Sequence, residues 1–487
     1  MKKASCCLIW ATIIGVILLI AGIVVIPVAK NLIHNKITEQ ITLKSNATYQ
    51  NWVKNPTPIF FQLWVWDLQN PDEVKNGGKP SLVQRGPYSY RENRHKINVS
   101  FHDENDTVTY KEDKYYVFDR AMSNGTEDDK FTTVNIPLML IANIVKREVD
   151  WLQKIADALI EWGEKDVFMT LSVKDLVWGY DEPLINKTVT LLQELGLPIH
   201  IDDHFGLFVG TNNSDDGWYN IKTGQGDPSL FGVIQKWNWN NTLPYWTTPT
   251  CNMVNGTDGT IFHPFVDKSD VMYVFSTDLC RSIYFTYLEP SSQQGIDLYR
   301  FSTPPDVFMS HIDNPANQGY CTPSDNCLPS GLLNMENCHD GAPLVFSQPH
   351  FLNADKAVIN GVYGMHPNIE EHGTFIDIEP NTGAAFYAAK KLQANIALER
   401  VPNIKSTLKL PTVVLPVVWL NESSKITKSL ADEFKSELQT PLLVIHVGTY
   451  LAIGLGAFLV LMSLTVAIFR KLREKQYKRM TEYTDAN

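Results

Sequence analysis

Two runs without a single charged residue bracket this chain of 487 residues, and they limit its possible folds more than any other feature. The first covers residues 4–29 and includes ATIIGVILLIAGIVVIPVA; the second covers residues 441–469, PLLVIHVGTYLAIGLGAFLVLMSLTVAIF. A helix of about 20 apolar residues spans the ~30 Å hydrocarbon layer of a bilayer, so both runs are long enough to cross. Lys2 and Lys3 precede the first run, and Arg470, Lys471, Arg473, Lys475, Lys478 and Arg479 follow the second. Basic residues flanking a span favour the cytoplasmic side. The sequence therefore predicts cytosolic residues 1–3 and 470–487, transmembrane helices at 4–29 and 441–469, and a lumenal or extracellular domain at 30–440. The first run exceeds the roughly 7–15-residue core of a secretory signal, and no small-x-small cleavage site follows it, so it reads as an anchor.

Nine Asn-x-Ser/Thr sequons, at Asn46, Asn98, Asn105, Asn124, Asn186, Asn212, Asn240, Asn255 and Asn421, all fall between the two runs. N-glycosylation takes place in the secretory lumen, so their confinement agrees with the charge rule. Cys251, Cys280, Cys321, Cys327 and Cys338 then lie in an oxidising compartment, where paired thiols become disulfides. An odd number leaves at least one single, and spacing alone leaves open which one it is and how the others connect. Cys6 and Cys7 sit at the cytosolic edge of the first span, a place for palmitoyl chains or for unmodified cysteines alike. Of the formal charge of −11, the two ends contribute +2 and +3, which leaves −16 between the spans. Such a surface repels nucleic acid and anionic headgroups, and its carboxylates lose charge in an acidic lumen.

No repeat, low-complexity tract or flexible linker divides residues 30–440, so one large domain is predicted. Short aromatic and β-branched segments at 115–118, 271–275, 282–288, 374–378 and 412–420, separated by Gly, Asn, Asp and Pro, read as antiparallel strands. Residues 143–165 differ: Val145, Val149, Leu152, Ile155, Ala156 and Leu159 recur at helical spacing. A second helix is predicted at 423–439, leading into the second span. The fold class is α+β. Gly86-Pro87 and Pro380-Asn381-Thr382-Gly383 read as turns between strands.

No zinc-protease, nucleophile-elbow, Walker or dinucleotide motif occurs, and His263, His350, His366 and His372 are scattered among loop-like segments. The sequence thus implies no catalytic residue, no metal and no cofactor. Instead NPDEVKNGGKP (70–80), RGPYSYRE (85–92), DLVWGY (175–180), CNMVNGTDG (251–259), DLCRSIY (278–284), QPHFLNAD (348–355) and GMHPNIEEHGTFIDIEPNTG (364–383) together resemble the class B scavenger receptors. That family includes fatty-acid translocase, the high-density-lipoprotein receptor and the type II lysosomal integral membrane protein. The resemblance covers nearly the whole chain, and GYCTPSDNCLPSGLLNMENC is most similar to the lysosomal branch.

The resemblance implies an antiparallel β-barrel core with short helices, an apical helical bundle, and a hydrophobic tunnel running toward the bilayer. It implies bridges Cys280–Cys338 and Cys321–Cys327, with Cys251 a free thiol. Its implied partners are lipids, fatty acids, sterols or lipoproteins, and in the lysosomal branch an acid hydrolase docked on the apex, here Val149, Asp150, Trp151 and Lys154. At that apex Glu148, Asp150, Asp157, Glu161, Glu164 and Asp166 outnumber Lys146, Arg147, Lys154 and Lys165, unlike the cationic apex of surface scavengers. The lysosomal receptor's apical histidine aligns with Asp150. Tyr477 and Met480 fit the Tyr-x-x-apolar form read by clathrin adaptors, while an acidic dileucine is absent from residues 470–487. The reading is a lipid receptor passing lipid through a tunnel to the membrane, at the plasma membrane or in endolysosomes, with a hydrolase carrier as the alternative and a homo-oligomer left open.

Overall fold

The computed structural model describes residues 2–163, 165–195, 204–324, 327–339 and 341–484. Glu164 lies outside the described residues, and so do the side chains of Cys6, Cys7 and Asn186. Four helices matter below: α1 (Lys2–Gln40), α2 (Ile136–Val145), α3 (Asp150–Trp162) and α4 (Thr440–Thr484). The chain divides into two compact units, one made of the segments up to Glu39 and from Thr427, the other of Gln40–Ile426.

In the terminal unit, α1 and α4 are each long and apolar enough to cross a membrane. Both extend beyond the uncharged runs. They touch where side chains are smallest: a Cβ added to Gly456 would lie 2.7 Å from the Gly15 carbonyl oxygen. Lipid tails are as apolar as leucine, so association of such helices rests on close backbone approach, which glycine permits.

The larger unit is a mixed architecture built on one fourteen-stranded antiparallel sheet. Eleven strands form its main path: β1 (Ile59–Leu68), β2 (Leu82–His102), β3 (Thr107–Phe118), β4 (Tyr219–Lys222), β5 (Ile234–Trp237), β6 (Met272–Ser276), β7 (Arg281–Gln293), β8 (Ile296–Ser302), β9 (Phe375–Ile378), β10 (Ala385–Leu398) and β11 (Val413–Lys425). Their order is β5-β4-β3-β2-β1-β11-β10-β9-β8-β7-β6, a meander in which the first and last strands meet at the centre. No strand ladder joins β5 to β6 among the described residues. At the β1–β11 seam Trp64 and Trp419 are directly paired, and their rings stack 3.9 Å apart.

Three sequence expectations need correction. Gly86-Pro87 is no turn between strands but lies within β2, where the register against β1 shifts. Gly86 has φ +135°, and a Cβ there would meet the Leu63 carbonyl oxygen at 2.7 Å, so only glycine lets the two strands approach. The expected helix at 143–165 is two helices. Asn135 caps α2 by accepting from Leu138 N at 3.1 Å, with Pro137 in the first turn, and Val149 is extended, so a new helix starts at Asp150. Residues 423–425 are strand, because Ser423 and Ser424 are paired on both sides, with β1 and β10, and the helix begins only at Lys428, capped by Thr427. Pro380–Gly383 does form a turn, between β9 and β10; Gly383 has φ +72° and the Glu379 carboxylate accepts from Thr382 N at 2.8 Å.

Two apolar clusters fill this unit. The larger includes Phe61, Leu63, Phe285, Phe301, Phe308, Leu392 and Leu420. The smaller holds Leu43, Trp52, Val108, Tyr110, Tyr219 and Phe275.

Candidate functional site

Side chains alternate between the two faces of a strand, and on β2 one phase reads Tyr88, Tyr90, Glu92, Arg94, Lys96. On β3 the matching phase reads Val108, Tyr110, Glu112, Lys114, Tyr116, Phe118. Both sequences begin apolar or aromatic, turn ionic, and put those ions on the inward face. Register sets Lys96 opposite Glu112 and Arg94 opposite Lys114. Lys390 on β10 faces Glu422 on β11, and Asp216, Asp258 and Asp278 arrive from loops and from the approaches to β4, β6 and β7.

Of these, Arg94, Glu112, Lys114, Asp216, Asp258, Asp278, Lys390 and Glu422 line a cavity of ≈ 400 Å³, with Glu92 and Lys96 behind its wall; the remaining wall is largely apolar: Phe61, Phe208, Phe285, Phe308, Ile376, Leu392 and Leu420 on one side, Tyr110, Tyr219 and Phe275 on the other. This volume is in the range of small-molecule sites. β4, next to one end of the sheet path, and β6, at the other end, both border it. Along β3 the ionic residues stand between Val108 and Tyr110 of the smaller apolar cluster and Tyr116 and Phe118, which pack on the larger. The ions thus form a belt across the interior.

Within the belt Arg94 donates from Nε to Glu92 at 2.5 Å, from Nη1 to Glu112 at 3.4 Å and from Nη2 to Glu422. Lys96 donates to Glu112 at 2.6 Å and lies 3.4 Å from Asp258. Lys390 pairs with Asp278 and with Glu422. Asp216 Oδ2 accepts from Lys114 at 3.0 Å, Tyr219 at 2.9 Å and Thr277 at 3.1 Å. Burial opposes the charged form of Glu112, yet Lys96, Arg94 and Lys114 overcome it and hold the carboxyl at about 2. Burial and the neighbouring Glu422 push Glu92 up instead, against the pull of Arg94. Within the belt, two buried carboxylate oxygens have no hydrogen-bond partner among the described residues, Glu92 Oε2 and Asp216 Oδ1. An unfilled buried acceptor costs about 1–3 kcal/mol.

A second cluster was not visible in the sequence. The His350 and His372 rings stack 4.1 Å apart, with Trp66 edge-on to His350 at 4.8 Å and Trp419 edge-on to His372 at 5.7 Å. His350 Nδ1 accepts from His366 N at 3.1 Å, which leaves Nε2 to donate to Gln84 Oε1 at 2.8 Å. His372 Nδ1 accepts from Asn368 N at 3.0 Å. Each ring therefore has a built-in acceptor role that a protonated imidazole cannot fill. His263 and His366 do not join the pair's ring stack.

The remaining residues singled out from the sequence are dispersed. Cys280 is bridged to Cys338 and Cys321 to Cys327, and Cys251 is a buried free thiol. Val149 and Trp151 are half exposed, Lys154 is exposed, and Asp150 accepts from Asn403 at 3.2 Å. The acidity of α3 is moderated from outside it, since Lys405 reaches Glu161 at 2.7 Å and Asp157 at 3.5 Å. Asn46, Asn98, Asn105, Asn124, Asn212 and Asn240 are exposed; Asn255 and Asn421 are half-buried. Tyr477 and Met480 are exposed on α4.

The chain matches the family model described as the CD36 family over residues 13–467. It is 36% identical over 457 residues to lysosome membrane protein 2 of Homo sapiens, covering 93% of each chain. It is 35% identical over 466 residues to scavenger receptor class B member 1 of Mus musculus, covering 95% of this chain and 89% of that protein. These relatives are a membrane protein and a receptor by name, and the family match runs from within the first apolar helix, across the sheet, into the second. The chain belongs to the CD36 family.

Proposed function

We propose that the protein is a membrane receptor that binds lipid in the sheet-lined cavity and passes it to the bilayer. The observation that carries this reading is the ≈ 400 Å³ cavity with phenylalanine and aliphatic walls, on a chain with two helices able to cross a membrane. Apolar surface exposed to water costs about 25 cal/mol per Å², so such walls favour an acyl chain or sterol over solvent. In this reading the sheet acts as a barrel wall, the cavity is the inner part of a tunnel, and α2 and α3 are the apex that meets lipoprotein cargo. Both termini are cytosolic, and Tyr477 and Met480 serve adaptor-mediated endocytosis. The relatives' names, a lysosome membrane protein and a scavenger receptor, support work at the lysosomal or plasma membrane.

The test is transfer of a fluorescent fatty acid or sterol into liposomes holding the full chain. Ala388, on the cavity wall, is the place to block it. Ala388→Trp should cut transfer at least several-fold while surface expression stays intact; undiminished transfer would remove the cavity from the route. In cells, Tyr477→Ala should raise the surface pool, and an unchanged distribution would discard the tail signal.

A further inference from the structure

The helix α4 does not end with its apolar run. It continues unbroken from Phe469 to Thr484, and over residues 470–480 it carries Arg470, Lys471, Arg473, Lys475, Lys478 and Arg479 against one carboxylate, Glu474. All seven side chains are exposed. A helix turns by about 100° per residue, so Arg470, Lys478, Lys471, Lys475 and Arg479 fall within one half of its circumference, together with Glu474. The other half holds Leu472, Gln476, Met480 and Tyr477, with Arg473 among them. Lys471, Lys475 and Arg479 repeat at i, i+4 and i+8, and no ion pair holds any of the three among the described residues. Like charges at that spacing oppose the helix that carries them. Orienting a span takes an excess of basic residues near its end, and does not take a row of them stacked along one face of a helix that they weaken.

Distance decides which anion relieves this repulsion. Arg479 lies ten residues past Phe469, about 15 Å along the axis at about 1.5 Å per residue. The polar layer of one leaflet is about 5–7 Å deep, and a Debye length of about 8 Å carries its field to nearly the same distance. The whole row therefore stands within the field of the leaflet from which α4 emerges, where phosphate and carboxylate oxygens accept charge-assisted hydrogen bonds from Lys and Arg. The segment between the two apolar runs offers nothing similar: it carries −16 and repels the same headgroups. We propose that residues 470–480 of α4 form a binding surface for anionic phospholipids, with Lys471, Lys475 and Arg479 holding the headgroups. This rests on the reading of α4 as a membrane span, and it adds a lipid partner in one leaflet that is separate from any cargo in the cavity. Clusters of four to eight basic residues directly beyond a span attract anionic lipid in this way, and here the helix aligns them on one face.

The experiment uses the full chain in phosphatidylcholine nanodiscs doped with a little phosphatidylserine or phosphatidylcholine, each bearing the same photoactivatable group beside its headgroup, with chymotryptic peptides mapped by mass spectrometry. Peptides from 470–480 should be labelled about fivefold more by the serine lipid. Peptides from the start of the sheet unit, after Gln40, should show no such excess. The excess should fall toward one as salt rises from about 0.1 M to about 1 M, which shortens the Debye length from about 10 Å to about 3 Å. Lys471→Gln, Lys475→Gln and Arg479→Gln together should remove most of it, whereas Lys471→Arg with Lys475→Arg should keep it. Equal labelling by the two lipids, or an excess that survives the triple variant, would overturn the proposal. Displacement by inorganic phosphate, at the lipid's own phosphate concentration, would make this a site for free anions and overturn the lipid assignment. If a probe at the end of the acyl chain fails to label 441–469, the spanning reading itself fails and this inference falls with it. The comparison of lipids on the unaltered chain needs no variant to fold.

Discussion

The stacked histidines make the unit lose stability in acid by a calculable amount. His350 and His372 are 6% and 3% exposed, and burial pushes their values from the ordinary 6.5 down to about 3 and about 4, with each charged neighbour lowering them further. The unfolded chain takes up both protons as pH falls through 6.5; the folded chain refuses them until pH 3–4. Stability contributed by the neutral rings is therefore full above pH 6.5 and is lost progressively down to pH 3–4. Linkage gives about 2 kcal/mol for each histidine between pH 7 and pH 5, and about 4 for the pair. The check is chemical denaturation of the full chain at pH 7, 6 and 5, followed by the tryptophan emission that Trp66 and Trp419 contribute beside the rings. His372→Gln and His350→Asn, the latter chosen because His350 has φ +54° and asparagine tolerates that region, should each flatten the pH dependence by about 2 kcal/mol. Carboxylates titrate alike in parent and variant, so they cancel from the difference. A variant whose pH dependence matches the parent within about 0.5 kcal/mol would refute the argument, because the rings would then titrate the same way folded and unfolded. At pH 5 the folded rings remain neutral, so the Trp-lined core keeps its hydrogen bonds in an acidic compartment.

Three further outcomes follow from other contacts. Glu112→Gln removes the carboxylate charge 2.6 Å from Lys96, whose side chain is 3% exposed, and leaves Asp258 at 3.4 Å as its carboxylate partner, so it should cost about 1.5–3 kcal/mol in a urea titration; a loss below about 1 kcal/mol would mean water reaches the belt freely. Gly86→Ala forces a Cβ onto the Leu63 carbonyl at a φ that side chains avoid, and should lower the thermal midpoint and secreted yield, whereas Gly448→Ala, where nothing lies within 4 Å, should not. Peptide mapping after glycosidase treatment should find modification at the six exposed sequons and none at Asn421, which is paired on both sides, with Gln62 and Lys391, in the middle of β11; an occupied Asn421 would show that glycan transfer precedes strand pairing there.

What the sequence revealed and what it hid divide along a physical line. The spans were legible because hydrocarbon tolerates no charge, so the run lengths at 4–29 and 441–469 speak for themselves. The strands at 115–118, 282–288 and 412–420 were legible from β-branched and aromatic residues between turn formers, and each lies inside an observed strand apart from its first residue at most. The break at residues 146–149 was hidden, because Val145 and Val149 keep helical spacing across it, and periodicity does not report a residue that turns extended. The histidine pair was hidden for a deeper reason: His350 sits in the short turn Pro349–Phe351 and His372 ends the short helix Ile369–His372, two segments far apart in the chain that meet only in the folded unit, beside Trp66 and Trp419 of the β1–β11 seam. The belt is the instructive case. Glu92, Arg94 and Lys96 in alternation look like the solvated face of a strand, and charged residues usually are. Yet they continue the phase of Tyr88 and Tyr90, and Glu112 and Lys114 continue that of Val108 and Tyr110. A strand cannot change which face a given phase occupies without a bulge. Once the tyrosines are inside, the ions must be inside too, and they then have to pair with one another, which is what Arg94 does with three carboxylates from three strands.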